Sequence, residues 1–456
     1  MKLLRWKQTI VAFVTVLVIS EVNAVELKPR GMLGLMGEQT VSEQGMLVER
    51  VAPNSTAAKL GILQGDRVVK LNQKNIKAFS DLITLMSPMR ADEKIELVVQ
   101  RGDKTLTLSG TLQARPQESS TDFNVIADVV TVGNDHLRSY IYQPNDLAKD
   151  EQRPAVFYIQ GYTCGSVDWG AFPNLTIRQL FADLARAGYV VYRVEKFGVG
   201  DSIGPRQCME IDFTTELSGF NAALKELKAL PYVDAENVHI FGHSLGGLYA
   251  PLVAKQSSVK SVMVYGTVVK PWHDYLLDIY AEQALLFGTS VEQAKQNRDT
   301  IAPLLQAWLK TDRSLASLRA DPKLEAGFAS NLIPINNDEF FHRHFSFFRD
   351  QNQYDFAAAW QQLNRPALAI HGEYDIQAIN DKWTFEIVNA VNHAGKNLAE
   401  RVVIPKTEHS LMNYPSREAL MTAMSERQHS AVNPGEHYNN ATLTVVLDWL
   451  AKHSKS

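Results

Sequence analysis

The sequence predicts an α/β fold in which helices cover a mostly parallel sheet, preceded by a small β-rich domain. Three observations carry this. From about residue 123 onward, short apolar runs alternate with stretches of helical periodicity, as when successive parallel strands are joined through helices. Residues 30–115 instead hold short alternating runs broken by turn signals, with one helical stretch among them. Between the two, Ala114 to Thr121 is polar, contains a proline and lacks apolar periodicity, so 116–122 reads as a linker.

At the start of the chain, Lys2, Arg5 and Lys7 precede an apolar run from Thr9 to Ile19, and Val22-Asn23-Ala24 supplies small residues for cleavage. Residues 1–24 therefore read as a secretory signal peptide, its apolar run being too short for a transmembrane anchor. An uncleaved interfacial helix is the alternative. The signal implies an exported chain, periplasmic or secreted, with no integral membrane span after cleavage, since no later stretch is long and apolar enough. Of 456 residues, 432 then remain, enough for roughly two or three domains. The formal charge moves from −4 to −6 as Lys2, Arg5, Lys7 and Glu21 leave. Such a mildly acidic chain gives no reason to expect nucleic acid or an anionic membrane surface as partner.

The two cysteines, Cys164 and Cys208, allow one pairing, and in an exported chain an even count suggests a disulfide. Closing such a loop stabilises by about 4 kcal/mol in the chain-entropy model. Two separate buried thiols are the alternative.

In the first domain, alternating runs occupy Met46–Val51, Arg67–Leu71, Ile95–Val99 and Leu106–Leu108, separated by Gly65-Asp66 and Gly102-Asp103. Ser80 is a candidate N-cap for an amphipathic helix carrying Leu82, Ile83, Leu85 and Met86. The stretches Arg30–Leu35, Gly45–Val48, Val51–Ala58, Gly61–Val68 and Leu71-Asn72 resemble PDZ domains of bacterial periplasmic proteases. That resemblance implies that Gly31, Met32, Leu33, Gly34 and Leu35 offer backbone N–H groups to the C-terminal carboxylate of a peptide. The peptide would then add as a strand beside them. A spacer or an intramolecular lid is the alternative use.

From 123 to 453 the strands read as Phe123–Val132, Leu137–Gln143, Ala155–Ile159, Tyr189–Val194, Val238–Phe241, Val259–Tyr265, Ala367–Ile370 and Arg401–Ile404, with helices including 175–187, 212–229 and 247–256. One stretch stands out: Val238 to Phe241 runs into Gly242-His243-Ser244-Leu245-Gly246, and a helix follows. A serine on a sharp strand-to-helix turn needs small neighbours two residues to either side, and the helix N-terminus lends unpaired N–H groups and a positive dipole. With the strand pattern, this resembles the α/β-hydrolase family across the rest of the chain.

In that family the triad runs serine, acid, histidine. The resemblance implies Ser244 as nucleophile, Asp375 of His371-Gly372-Glu373-Tyr374-Asp375 as acid, and His409 as base after the last strand. Glu373 is the alternative acid, and His393 and His437, which follow no strand, are rival histidines. Two N–H donors of an oxyanion hole would be those of Leu245 and of Tyr162, in Gln160-Gly161-Tyr162, where many relatives carry His-Gly. Cys164 shares that loop, and Cys208 follows a Gly-rich loop at the end of the next strand. In this topology those loops are neighbours, so the disulfide would fix the oxyanion loop. Cys164 as nucleophile is the rival reading.

Residues 268–360 form a long insertion read as a cap over the acyl pocket, with Ile301, Leu304, Leu305, Trp308 and Leu309 at helical spacing. The aromatic run Phe340–Arg349 reads as cap packing, with a metal site at His342 and His344 as the lesser alternative. No metal or organic cofactor is called for. The expected function is an exported serine hydrolase acting on an acyl ester or thioester. A serine peptidase of aminopeptidase type and a non-catalytic peptide-binding scaffold are the alternatives. The expected partners are a small acyl-ester or peptide-derived substrate and a C-terminal peptide at the first domain.

Overall fold

Short, continuously apolar strands build the central sheet. In the computed structural model, which describes residues 25–426 and 434–454, eight strands form it. They are β1 Phe123–Val132, β2 Asp135–Pro144, β3 Arg153–Ile159, β4 Val190–Val194, β5 Val233–His243, β6 Ser261–Tyr265, β7 Ala367–Gly372 and β8 Ala399–Ile404. Their spatial order is β8-β7-β6-β5-β3-β4-β2-β1. β2 runs antiparallel to β1 and β4, and every other neighbouring pair is parallel. The expected signal segment, 1–24, lies outside the described residues.

Alternate residues of β3 enter opposite layers. Ala155, Phe157 and Ile159 pack with Phe220, Leu224, Leu248 and Val253 of helices Phe213–Ala229 and Gly246–Gln256. Val156 and Tyr158 pack with Leu180, Phe181, Val446 and Leu450 of helices Thr176–Arg186 and Asn440–Ser454. A strand apolar on both faces requires this double covering. Each large apolar side chain so buried contributes about 1.5–3 kcal/mol against the entropy of ordering the chain.

The cap lies between β6 and β7. Its longest helix, Val291–Leu309, buries Ile301, Leu304, Leu305, Trp308 and Leu309, as their spacing requires. Trp308 packs on Phe340 with ring centroids 4.4 Å apart, and Trp272 stacks on Phe348 at 4.1 Å. These residues join the same apolar cluster as one face of β3, so the cap's core is continuous with the sheet's.

The first domain is built on a separate sheet of Leu35–Gly37, Met46–Val51, Arg67–Leu71, Lys94–Arg101 and Lys104–Thr111, with short Lys74–Asn75 pairing Arg67–Leu71 and Leu35–Gly37 at one edge. Its core includes Met46, Val48, Val68, Leu97 and Val99, closed by Leu82 of the helix Phe79–Met86. Ser80, expected as N-cap, lies inside this helix, and Ala78 occupies the cap position. The reason is Asp81, whose Oδ2 accepts from the N–H groups of Lys77 (2.8 Å) and Ala78 (3.1 Å). A carboxylate in the first turn satisfies those donors with charge-assisted bonds.

Candidate active site

β5 ends at His243, Ser244 follows with φ +56°, and the helix begins at Gly246. The turn is tight because its flanks touch: a Cβ on Gly242 would stand 2.6 Å from the Gly246 carbonyl oxygen, and one on Gly246 would strike the Ile159 carbonyl. Ser244 N–H donates to the Tyr265 carbonyl at 2.9 Å, tying the turn to the end of β6.

Asp375 lies just beyond β7, and His409 beyond β8. His409 Nδ1 stands 2.9 Å from Asp375 Oδ2 and 3.0 Å from Oδ1. Asp375 Oδ1 also accepts from the backbone N–H groups of Gln377 and Ala378, both at 3.0 Å. Burial alone would raise the pKa of Asp375; the adjacent His409 and these donors outweigh it, leaving the carboxyl below its ordinary value. Burial likewise opposes the charged form of His409, but Asp375 raises its pKa above the ordinary value. Glu373 is exposed and accepts instead from Lys406 N–H at 2.8 Å. His393 and His437 bond the carbonyls of Ala390 and Asn413.

Three residues that spacing did not mark frame this pair. His243 Nε2 donates to the His409 carbonyl at 2.8 Å, and Tyr265 O–H to the Glu408 carbonyl at 2.7 Å, so the backbone on both sides of the imidazole is held. Burial, then the neighbouring His409, pushes His243 down to about 4, which keeps it a neutral donor. Gly266 has φ +58°, and a Cβ there would stand 2.5 Å from Asp375 Oδ2 and 2.9 Å from His409 Nδ1. Only a glycine leaves room for the pair. His243 sits inside the Gly-x-Ser-x-Gly motif and Gly266 directly follows a strand, the only signals by which either could have been found.

Ser244 and His409 face one cavity of about 70 Å³, whose other walls are Tyr162, Leu245, Gly266, Thr267, Val268, Trp272, Tyr275, Gln377 and Ala378. Tyr162 and Leu245, expected as oxyanion donors, thus flank Ser244, and a Cβ on Gly161 would lie 3.1 Å from the Ser244 Cβ. Cys164 and Cys208 are joined in a disulfide with their Cα atoms 5.8 Å apart, so Cys164 is no free nucleophile. Among the described residues no group of three or more His, Cys, Asp or Glu is disposed to hold a metal; His344 Nδ1 instead meets Ser346 Oγ at 2.7 Å.

In the first domain, the Gly31 N–H already donates to the Met89 carbonyl at 3.0 Å, and Gly31 and Met32 pair with Ala114 and Gln113. Gly31 is therefore removed from the expected peptide donors. The carbonyls of Leu33 and Gly34 accept from Ala57 N–H and Ala52 N–H, both at 2.8 Å, which orients the loop ahead of edge strand Leu35–Gly37. Met36 on that strand and Ile83 on the neighbouring helix are exposed, at 45% and 54%.

A mostly parallel sheet that carries a serine turn and an acid–histidine pair at adjacent strand ends defines a hydrolase of the α/β class. Residues 156–420 match the model of the alpha/beta hydrolase family, to which the chain belongs, and residues 31–112 match that of the PDZ domain. The periplasmic serine endoprotease DegP of Salmonella typhimurium is 37% identical over 121 residues, 23% of this chain and 26% of that protein. Esterase EstD of Thermotoga maritima is 25% identical over 142 residues, 31% of this chain and 33% of that protein. The chain thus spans no more than a third of the length of either relative. Among solved structures, Est1E of Butyrivibrio proteoclasticus with bound ferulic acid is 16% identical with a TM-score of 0.42, covering 66% of this chain and 97% of that one.

Proposed function

We propose that this chain is an exported serine hydrolase that cleaves an acyl ester or thioester through Ser244, His409 and Asp375. The observation that carries the reading is the Asp375–His409 pair, bonded at 2.9 and 3.0 Å, with its histidine on the same small cavity as Ser244. Asp375 holds Nδ1 protonated, leaving Nε2 as the base. That nitrogen takes the Ser244 proton as Oγ attacks the acyl carbon, then returns it to the leaving alcohol or thiol. The N–H groups of Tyr162 and Leu245 stabilise the oxyanion. Water, deprotonated by the same imidazole, releases the acid and restores Ser244.

Esters are favoured over aminopeptidase substrates by what the cavity lacks. Among the described residues lining it, none carries an acidic side chain that could pair with a substrate's α-ammonium. Export is supported by the 1–24 pattern, and peptide binding by the place of Leu35–Gly37 at the edge of its sheet among the described residues.

The test is labelling by a fluorophosphonate probe, with turnover of short acyl esters and of aminoacyl amides, in the mature protein and in Ser244→Ala. Labelling and ester turnover that vanish in the variant support the reading. Preference for the amides favours a peptidase. A folded wild-type protein that neither labels nor turns over substrate leaves a PDZ scaffold.

A further inference from the structure

Beneath the candidate oxyanion loop lies a cluster of buried charges that takes no part in the proposed chemistry. Lys196, from the loop after β4, Glu216, from helix Phe213–Ala229, and Arg343, from the cap, are all no more than 2% exposed. Lys196 Nζ pairs with Glu216 Oε1 at 2.8 Å, and Arg343 Nη2 with Glu216 Oε2 at 2.8 Å. Tyr249 O–H adds a third donor to Glu216 at 3.1 Å. Two cations around one anion are costly to bury, and an apolar cluster of the same volume is often the more stable choice. Stability alone is therefore a weak reason for these residues.

Each cation has a second bond. Lys196 Nζ donates to the Gly161 carbonyl at 2.6 Å, and Arg343 Nη1 to the Tyr162 carbonyl at 2.7 Å. Both acceptors lie in the oxyanion loop, on consecutive peptides. The Gly161 carbonyl and the Tyr162 N–H belong to one trans peptide, so they point in opposite directions. Holding the carbonyl with a buried ammonium fixes where the N–H points. It also polarises the peptide, making the N–H a stronger donor.

Building on the serine-hydrolase reading above, we propose that Lys196 is a positioning residue for the oxyanion hole, aiming the Tyr162 N–H by gripping the Gly161 carbonyl. Arg343 secures the next peptide and so fastens the cap to the same loop. Neither side chain lines the cavity that Ser244 faces.

The test compares wild type with Lys196→Met, Lys196→Gln and Arg343→Met, using Ser244→Ala as the inactive reference. Each variant is checked for folding by far-UV circular dichroism and thermal melting. Lys196→Gln keeps a neutral donor and serves where Lys196→Met does not fold. Loss of one oxyanion donor costs roughly a hundred- to a thousand-fold in turnover. Lys196→Met is expected to lose kcat on that scale with KM within about threefold, and Lys196→Gln to lose less. Binding of a trifluoromethyl ketone, whose serine adduct carries the oxyanion, should weaken by a factor similar to the loss in kcat. A merely structural role lowers the melting temperature but leaves kcat per folded molecule and ketone affinity unchanged, and that result overturns the proposal. Failure of the serine reading is seen separately, as turnover that survives Ser244→Ala.

Discussion

The backbone N–H of Arg30, at the entry to the PDZ domain, donates to Asp201 Oδ1 of the hydrolase domain at 2.8 Å. Its guanidinium reaches the carbonyls of Gly198 (2.6 Å) and Gly200, and meets Ser87 of its own domain. Nearby, Arg115 pairs with Asp168 at 2.7 Å, and Arg90 donates to the Ser202 carbonyl at 3.2 Å. The PDZ domain is thus fastened to the Gly-rich loop that follows β4. Burial, then the neighbouring Arg90, lowers the Arg30 pKa to about 10, so it stays charged at neutral pH.

Arg30→Ala should loosen this junction. It strips charged donors from partly buried carbonyls, a loss of about 1–3 kcal/mol. The melting temperature should fall by several degrees, at roughly 2–4 °C per kcal/mol for domains of this size. Proteolysis within 116–122, the stretch expected as a linker and anchored through buried Glu118 to Arg193 and the Trp169 N–H, should quicken. An unchanged melt with 116–122 equally resistant would show that the junction holds without Arg30.

Gly266→Ala tests the space around the acid–histidine pair. The added methyl would stand 2.5 Å from Asp375 Oδ2 and demand φ +58° of an alanine. A misplacement of about 1 Å costs on the order of a hundredfold in rate. The expected result is that loss in kcat with KM little changed and a folded protein. Wild-type turnover from Gly266→Ala would mean that the pair is not needed.

The pH dependence follows from the same pair. The proposed mechanism needs neutral His409, whose pKa stands above 6.5 because Asp375 outweighs the effect of burial. Activity should therefore rise with pH through a midpoint above 6.5. Asp375→Asn should lower that midpoint and cut kcat by roughly ten-thousandfold. The raised histidine pKa adds stability that is full below 6.5 and lost as pH rises through the folded value. The lowered Asp375 pKa adds stability that is present above 3.8 and lost as pH falls through its folded value. The melting difference between wild type and Asp375→Asn should be greatest between 3.8 and 6.5. A difference that grows steadily above that window would contradict the assignment.

What could be read from the sequence was local. Short apolar runs marked β3 and the end of β5, and Ser244, Asp375 and His409 each follow a strand within a few residues. Ser80 misled because a serine before an apolar run resembles a cap, whereas Asp81 one residue later does the capping. Lys196, Glu216 and Arg343 look like solvated charges in one dimension. Glu216 and Arg343 are 127 positions apart, and no period links residues that meet only once the cap folds back. The inward turn of Arg343, between two histidines in an aromatic run, is a tertiary fact.

The Cys164–Cys208 disulfide provides the last test. It closes a separation of 44 residues, for which chain entropy gives up to about 4 kcal/mol. It does so at a particular place: Cys164 lies two residues beyond Tyr162, and the carbonyl of Met209, next to Cys208, accepts from His344 N–H of the cap at 2.8 Å. Entropy alone predicts a lower melting temperature for the Cys164→Ser, Cys208→Ser double variant, with unchanged kcat per folded molecule. The position predicts more, because a loop released at Cys164 no longer holds Tyr162 fixed against Ser244. Turnover at a temperature where the variant is fully folded should therefore fall, with KM nearly constant, and reductant should do the same to wild type. If only the melting temperature moves, the disulfide acts as a staple on the unfolded chain and the oxyanion loop is held by Lys196 and Arg343 without it.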